Sequence, residues 1–313
     1  MSIKVGTVKL YLKATTKLFL EHNQWDPTIV RTGSTAPVLQ AVYHEAQRWE
    51  AMPNRQEPVT MEMTNHLIKQ ASKASPDSSA AAIADWSILG QQSGFRSSEW
   101  SQPHSNQTLP LDAPITRNVD NSATAFIASD FTLKDKRNRP LKYSPTLDPD
   151  TVEHVDTRWR FQKNNNNGEQ ITYSRSHSDP THCYVRAVLR ILARAARLGV
   201  PHDPPVAVAL HRSGKQKTKT VSYITSALST KFIRQAATAA HGITAAKSLA
   251  RFSNHSIRVG ACVHMDAAGT PAHQIKKRLR WKSDTFMDYL RNVARLATDH
   301  NNVISKAVKA ALG

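Results

Sequence analysis

The sequence predicts a mainly α-helical fold with a small antiparallel β-sheet. Apolar side chains recur at helical spacing in segment after segment of the 313 residues, and 40% of all residues are hydrophobic. Two β-prone runs, 158–163 and 170–174, flank the segment Asn164-Asn-Asn-Asn-Gly-Glu169. An Asn-Gly pair between two such runs is a strong signal for a hairpin. Together these observations favour helices that pack around a small sheet built on that hairpin.

The N-terminal part is predicted to be a short helical domain. Apolar residues at helical spacing fit one helix over residues 4–22 and a second over 35–51. The proline-containing segment 52–58 interrupts this pattern and has the composition of a linker. We therefore divide the chain into domains at 1–57 and 58–313.

The larger domain is predicted to begin with helices and to continue into the sheet. Helical spacing over 59–100 is broken by a Ser/Pro/Asp stretch at 75–79, and the polar segment 101–125 is predicted to be a loop. The β-prone run 125–133 supplies a further strand. Beyond residue 180 the periodicity predicts helices over 181–198, 222–240, 256–268, 271–280 and 284–297.

Charge gives the first indication of a partner. The formal net charge is +18, and it is concentrated late in the chain, where residues 171–250 carry 12 basic and 2 acidic side chains and residues 251–313 carry 11 and 4. Such a balance favours a polyanion, usually a nucleic acid. One helix also carries four arginines opposite its apolar side, which is typical either of a solvated face or of an anion-binding surface: Arg186, Arg190, Arg194 and Arg197.

Several other classes of protein are disfavoured. No apolar run approaches the roughly 20 residues that a membrane span needs, and the basic residues do not form one amphipathic, aromatic-rich helix of the kind that lies on membranes. The two cysteines, Cys183 and Cys262, make neither a disulfide framework nor a zinc cluster. We therefore expect an intracellular protein with no metal and no cofactor.

Three short motifs carry the chemistry. Gly94-Phe-Arg96-Ser-Ser-Glu99 comes first, His255-Ser-Ile-Arg258 follows much later, and Trp281 and Tyr289 come last. Histidine and arginine at positions i and i+3 share a helix face. An arginine can bind a phosphate through two N–H groups, and a histidine can move a proton.

The ordered set resembles the tyrosine recombinase, or phage-integrase-like, family, over roughly residues 57–300. In wording it is most similar to the eukaryotic Crypton-like transposon recombinases. The resemblance implies a tyrosine recombinase catalytic domain at 58–313, preceded by a reduced or truncated helical core-binding domain at 1–57. It assigns the catalytic set, in chain order, to Arg96, Lys163, His255, Arg258, Trp281 and Tyr289.

The resemblance also implies a role for each residue. Tyr289 attacks a DNA phosphodiester and forms a 3′-phosphotyrosine, so that a 5′-hydroxyl leaves. The two arginines hold the non-bridging oxygens, His255 assists proton transfer or binds the phosphate, and Trp281 supplies an indole N–H. Glu99 orients Arg96 or His255. Lys163 on the hairpin is the general acid, with other lysines as alternatives: Lys134, Lys136, Lys215, Lys217 and Lys219.

The predicted function is site-specific DNA recombination for transposon integration or excision. The expected partner is double-stranded DNA, clamped between the two domains and brought together by four protomers, with a C-terminal helix near 301–311 docked on a neighbour. The expected location is at DNA, in the nucleus of a eukaryotic host. Two alternatives stay open: a decayed or domesticated DNA-binding protein without cleavage activity, and a type IB topoisomerase-like enzyme. Each site residue also has an ordinary structural interpretation, as a surface ion pair, a hairpin-edge lysine or a packed aromatic ring.

Overall fold

The computed structural model describes most of the chain and divides it into two compact units, residues 1–55 and 56–313. The sequence places this boundary at residue 57, and the roles predicted for the two units stay predictions. The described residues are 5–23, 26, 28–29, 35–48, 55–118, 120–162, 167–200, 203–212, 219–281 and 284–290.

The first unit consists of helices α1 (Val5–Asn23) and α2 (Pro37–Arg48). Both lie in segments that the sequence predicts to be helical. The Lys9 ammonium lies 4.7 Å from the centre of the Tyr43 ring, which places α1 against α2. An antiparallel bridge between Ile29 and Thr35 closes part of the connection between them.

The second unit is mostly helical. Three of its helices are capped at the N-terminus by Thr60, Ser78 and Thr225, whose side chains each accept a hydrogen bond from a backbone N–H of the first turn. Helix α4 is buried along nearly its whole length, and α3, α6 and α9 pack against it. The helices are α3 (Met61–Ser72), α4 (Ser79–Ser93), α5 (Ser97–Trp100), α6 (Tyr184–Arg197), α7 (Ser226–His241), α8 (Ala246–Leu249), α9 (Ser256–Ala267) and α10 (Ala272–Arg278).

Two small antiparallel sheets accompany these helices, in the orders β3-β2-β4-β5 and β1-β7-β6. The predicted hairpin is confirmed as β4–β5, with Trp159 opposite Glu169 at its end. The strands are β1 (Thr108–Pro110), β2 (Phe131–Lys134), β3 (Pro140–Leu141), β4 (His154–Trp159), β5 (Glu169–Ser174), β6 (Val208–Arg212) and β7 (Lys219–Ile224). The predicted class, helices with a small antiparallel β component, is therefore confirmed at this level.

The structure corrects several of the predicted elements. Segment 101–125, predicted to be a loop, contains β1, which is stabilised by pairing with β7. The run 158–163, predicted as the first strand of the hairpin, belongs to β4 only as far as Trp159. The helix predicted over 222–240 begins only at Ser226, because the preceding residues form β7 and pair with both β6 and β1. The strand predicted over 125–133 begins at Phe131, because the Asp130 carboxylate accepts the Ile127 N–H at 2.8 Å and forms a 3₁₀ turn there. The last predicted helix, 284–297, is a 3₁₀ helix over Asp284–Tyr289 that ends before Leu290, and residues 291–297 lie outside the described residues.

The hydrophobic core of the second unit is centred on α4. Trp86 stacks on Trp100 with ring centres 5.1 Å apart and on Phe126 at 6.1 Å. Phe95 packs edge-on against Trp86, so the segment that follows α4 is fixed to the core beside Arg96. Along the described residues, no helix has the length and apolar character that crossing a membrane requires.

Candidate active site

The first predicted motif lies on a turn fixed by Gly94. Helix α4 ends there, with Gly94 in the left-handed region at φ +54°. A Cβ at this position would lie 2.6 Å from Leu279 Cδ2, because the end of α10 packs directly against the turn. The chain then passes through Arg96 into α5. Close packing at Gly94 thus brings Arg96 beside the segment that leads to Trp281.

Glu99 holds Arg96 in place. Its Oε2 accepts the Arg96 backbone N–H at 2.8 Å, and its Oε1 accepts Arg96 Nη1 at 2.9 Å. The Glu99 side chain is 5% exposed and that of Arg96 is 21% exposed. Of the two partners predicted for Glu99, the observed one is therefore Arg96, whose guanidinium keeps access to solvent.

Arg258 is buried and joins two segments of the site. Its Nη1 donates to the Gly94 carbonyl, and its Nη2 donates to the Leu279 carbonyl at 2.9 Å. Its guanidinium carbon lies 4.3 Å from the centre of the Trp281 ring. Burial, together with the nearby charge of Arg280, lowers the pKa of Arg258 to about 9, so it remains a cation at neutral pH.

The predicted nucleophile contacts the predicted histidine. His255 Nε2 lies 3.2 Å from Tyr289 Oη, at the end of the 3₁₀ helix. Burial and the charges of Arg258 and Arg96 lower the pKa of His255, which favours the neutral ring. A neutral imidazole nitrogen can accept the phenolic proton. The pair therefore has the arrangement of a nucleophile with an adjacent base.

Trp281 completes this side of the site. Its ring centre lies 5.6 Å from that of Tyr289. Its Nε1–H is buried, and within the described part of the chain it has no hydrogen-bond partner. A buried indole N–H beside the tyrosine is suited to donate to a bound anion.

The predicted general acid, Lys163, lies outside the described residues, in the stretch of sequence between β4 and β5. Among the alternatives, Lys134 on β2 forms an ion pair with Asp156, whose carboxylate also accepts Thr172 Oγ1 at 2.6 Å. This pairing gives Lys134 a role within the sheet. Lys136 is exposed in the turn after β2. The remaining alternatives, Lys215, Lys217 and the side chain of Lys219, are not among the described parts.

Arg280 is a residue of the site that the sequence prediction does not include. It is 3% exposed and donates from Nη2 to Glu99 Oε2 at 3.0 Å and from Nη1 to the Ser93 carbonyl at 3.1 Å. Its guanidinium carbon lies 3.8 Å from the centre of the Trp159 ring. The one available signal in the sequence is its position directly before Trp281.

The arginine stripe of α6 is paired within the fold. Arg190 and Arg194 share Asp85 on α4, at 2.6 Å and 2.5 Å, and Arg197 pairs with Asp77 at 2.7 Å. Arg186 lies 3.6 Å from Asp150. Each of these four cations therefore lies beside one of three carboxylates, so the stripe is partly compensated and is not a purely solvated face.

Contacts join His255, Arg258, Trp281 and Tyr289 into one cluster. The Arg96–Glu99 pair lies beside it, because Arg258 Nη1 donates to the carbonyl of Gly94, two residues before Arg96. No protein-family model matches this chain, and no curated protein shows detectable sequence similarity to it. The assignment of roles to the cluster is therefore an inference from its chemistry. A phenol hydrogen-bonded to a neutral imidazole beside two cations is suited to attack a phosphate ester.

Proposed function

We propose that this protein breaks and rejoins DNA through a covalent 3′-phosphotyrosine at Tyr289, as a tyrosine recombinase that integrates or excises a transposon. The observation that carries the proposal is the 3.2 Å contact between His255 Nε2 and Tyr289 Oη. Arg96 and Arg258 lie close enough to His255 for their charges to lower its pKa. A phenol, an imidazole and two guanidinium groups close to one another support the proposed roles of nucleophile, base and cations.

The proposed cleavage is a transesterification. The Tyr289 oxygen forms a bond to phosphorus, its proton passes to His255, and the bond from phosphorus to the 5′ oxygen breaks. Lys163 is the proposed donor of the proton that the 5′ oxygen takes up. A 5′-hydroxyl that attacks the phosphotyrosine reverses these steps and reseals the strand. Because the ester bond is exchanged for another ester bond, no ATP and no cofactor are required.

The two arginines have different proposed roles. The transition state carries negative charge on the non-bridging oxygens. Arg96 is the more exposed arginine and gives its Nη1 to Glu99, so its other donors are the proposed contacts to phosphate. Arg258 donates from Nη1 and Nη2 to backbone carbonyls, so its proposed contribution to the transition state is its positive charge.

The proposed partner is duplex DNA, and the net charge of +18 supports it. Helix α10 ends in three consecutive cations, Lys276, Lys277 and Arg278, and only Leu279 separates them from Arg280 and Trp281. A basic helix end beside the cluster is suited to phosphates that flank the cleaved one. Assembly of four protomers on two DNA sites, and a nuclear location in a eukaryotic host, belong to the same proposal.

Covalent trapping tests the reaction. The full chain is incubated with a pool of duplexes that carry a randomised sequence and a nick, so that a short cleaved strand diffuses away and religation fails. Products are separated on a denaturing gel. We expect a shifted protein–DNA band for the wild type and none for Tyr289→Phe. Tyr143→Phe is the matched control, because Tyr143 is a half-buried tyrosine outside the cluster, and it should trap DNA like the wild type.

Other outcomes separate the alternatives. A band that persists in Tyr289→Phe would assign the nucleophile to another residue. Retention of duplex DNA by the wild type without any covalent band would favour a DNA-binding protein that does not cleave. Relaxation of a supercoiled plasmid that offers no second site would favour a topoisomerase-like activity.

A further inference from the structure

We infer that Arg280 is a positioning residue, which fixes Glu99 and through it the guanidinium of Arg96. That Arg280 holds Glu99 and Arg96 in position is a statement about the fold alone. Its catalytic consequence, correct presentation of Arg96 to the phosphate, rests on the proposed function. Arg280 lies outside the motifs that the sequence singles out.

Glu99 is the link between the two arginines. Its Oε2 accepts both the Arg96 backbone N–H at 2.8 Å and Arg280 Nη2 at 3.0 Å, while its Oε1 accepts Arg96 Nη1 at 2.9 Å. The side chains of Arg280 and Glu99 are 0% and 5% exposed. Rotation of this carboxylate would separate a buried cation from its counterion, which is strongly unfavourable. Arg280 therefore locks the carboxylate that orients Arg96.

Arg280 is itself held by two further segments of the fold. Its Nη1 donates to the carbonyl of Ser93, the last residue of α4, at 3.1 Å. Its guanidinium carbon lies 3.8 Å from the ring centre of Trp159, the last residue of β4. Strand β4 leads into the hairpin that carries Lys163. One side chain thus contacts the segments that lead to two of the proposed catalytic residues.

The backbone conformation at Arg280 indicates that an arginine side chain is needed at this position. Helix α10 ends with the Trp281 N–H bonded to the Lys276 carbonyl at 2.9 Å and the Arg280 N–H bonded to the Lys277 carbonyl at 3.2 Å. This is the Schellman pattern, in which the residue at the position of Arg280 is left-handed and usually glycine. Arg280 has φ +57°. An arginine in a conformation that favours glycine indicates that its side chain contributes what a glycine cannot.

This backbone conformation supplies a sharp test. Arg280→Gly removes the guanidinium and leaves a residue that adopts the left-handed conformation without strain. Arg280→Lys keeps a positive charge but loses the planar pair of donors that reaches both Glu99 and Ser93. Arg175→Gln is the control for loss of a buried arginine, because Arg175 bonds the Val152 carbonyl and Asp150 instead.

The first measurement does not depend on catalysis. Guanidinium ¹⁵N NMR signals of Arg96 are assigned by their loss in Arg96→Lys. We expect resolved Arg96 Nη signals in the wild type and in Arg175→Gln, because Glu99 restricts rotation of the guanidinium. In both Arg280 variants these signals should collapse to an averaged, broadened resonance. Arg96 signals that are unchanged in the Arg280 variants would overturn the inference. If Arg280→Gly does not fold, Arg280→Lys decides.

The second measurement is the rate of covalent complex formation at saturating DNA. A guanidinium misplaced by about 1 Å costs about 100-fold in rate, so we expect about a 100-fold slower reaction in both Arg280 variants with unchanged duplex affinity. Arg175→Gln should react at the wild-type rate below its melting temperature. Wild-type rates in Arg280→Gly would overturn the catalytic part. A wild type that forms no covalent complex would refute the proposed function instead, and the NMR result would still decide the placement.

Discussion

His255 and Tyr289 lie 34 positions apart in the chain and share one hydrogen bond. The histidine is partly buried beside two cations, Arg96 and Arg258. Burial and the neighbouring positive charges both oppose protonation of the ring, and its pKa therefore lies below the ordinary histidine value of about 6.5. The neutral ring, which can accept a proton from Tyr289, thus prevails at physiological pH.

The pH dependence of cleavage follows from this shift. We expect the cleavage rate to rise with pH through a titration below about 6.5 and to be level at pH 7. His255→Gln should abolish this titration and slow cleavage by about 100-fold or more. Rates of covalent complex formation over a pH series test this, with His177→Gln, an exposed histidine paired with Glu153, as the control that keeps the wild-type profile.

The same shift has a consequence for stability. Because the pKa of His255 is lower in the folded chain than in the unfolded chain, the unfolded chain binds more protons in the window between the two values. The contribution of His255 to stability is therefore complete above about pH 6.5 and is lost as the pH falls below that value. If the cleavage rate of His255→Gln falls at acid pH as in the wild type, the expected pH dependence of cleavage is wrong. If its free energy of unfolding falls at acid pH as in the wild type, the expected pH dependence of stability is wrong.

At the scale of elements, the end of α4 determines where Arg96 lies. Gly94 and Gly242 both end helices in the left-handed region, at φ +54° and +66°. They differ in their surroundings, because a Cβ at Gly94 would meet Leu279 at 2.6 Å and a Cβ at Gly242 would meet nothing within 4 Å. Alanine substitutions at these two glycines therefore separate the effect of backbone strain from the effect of packing.

We expect Gly242→Ala to lower the free energy of unfolding by about 1–2 kcal/mol through backbone strain alone. Gly94→Ala should lower it by about 1–3 kcal/mol more, because Leu279 must move to make room. Urea unfolding followed by tryptophan fluorescence measures both values. Equal losses in the two variants would show that the contact between Gly94 and Leu279 does not constrain the turn.

The contact between α4 and α6 is electrostatic as well as apolar. Asp85 and Arg194 are 3% and 2% exposed, and Arg190 adds a second donor to the same carboxylate. Asp85→Asn leaves a buried arginine without its counterion, and we expect a loss of about 3–5 kcal/mol in the free energy of unfolding. Asp77→Asn removes the partner of the exposed Arg197 and should cost about 0–1 kcal/mol.

Denaturant midpoints of these two variants test the interpretation of the arginine stripe. Similar small losses would mean that the Asp85 pairs contribute little, and the stripe would again be a candidate surface for DNA. In that case Arg190→Gln should also weaken duplex binding, whereas the structure leads us to expect unchanged binding.

At the scale of the whole molecule, the net charge of +18 does not say which basic side chains are free to meet DNA. Each of the four α6 arginines pairs with one of three carboxylates, Asp77, Asp85 and Asp150. Lys277, by contrast, is exposed in the last turn of α10. It lies three residues before Arg280 and shortly before the segment that carries Tyr289, the proposed nucleophile. The surface around the site is therefore the better candidate for phosphate contacts.

Salt dependence of duplex binding tests this distribution. The slope of log K against log salt concentration falls by about 0.9 for each phosphate contact that is lost. We expect Lys277→Gln to reduce the slope by about that amount, and Arg197→Gln, which removes the same charge, to leave it unchanged. Equal reductions in the two variants would show that binding responds to net charge rather than to a local surface.

The sequence by itself determined the features that depend on neighbouring residues. The apolar periodicity predicts most of the helices to within a few positions, and the Asn-Gly pair predicts the β4–β5 hairpin. The order of residue types along the chain also allowed the arginines, histidine, tryptophan and tyrosine to be proposed as one set, through their resemblance to the tyrosine recombinase family.

Only the tertiary structure decided the features that depend on distant residues. Strand β7 is stabilised by pairing with β1 across more than a hundred residues, so local periodicity assigned its end to a helix. Arg280 acquires its partners Ser93 and Glu99 from 187 and 181 positions away. The physical reason is the same in both cases: hydrogen bonds and ion pairs between remote segments form only when packing of the core brings those segments together, and no local pattern specifies which ones will meet.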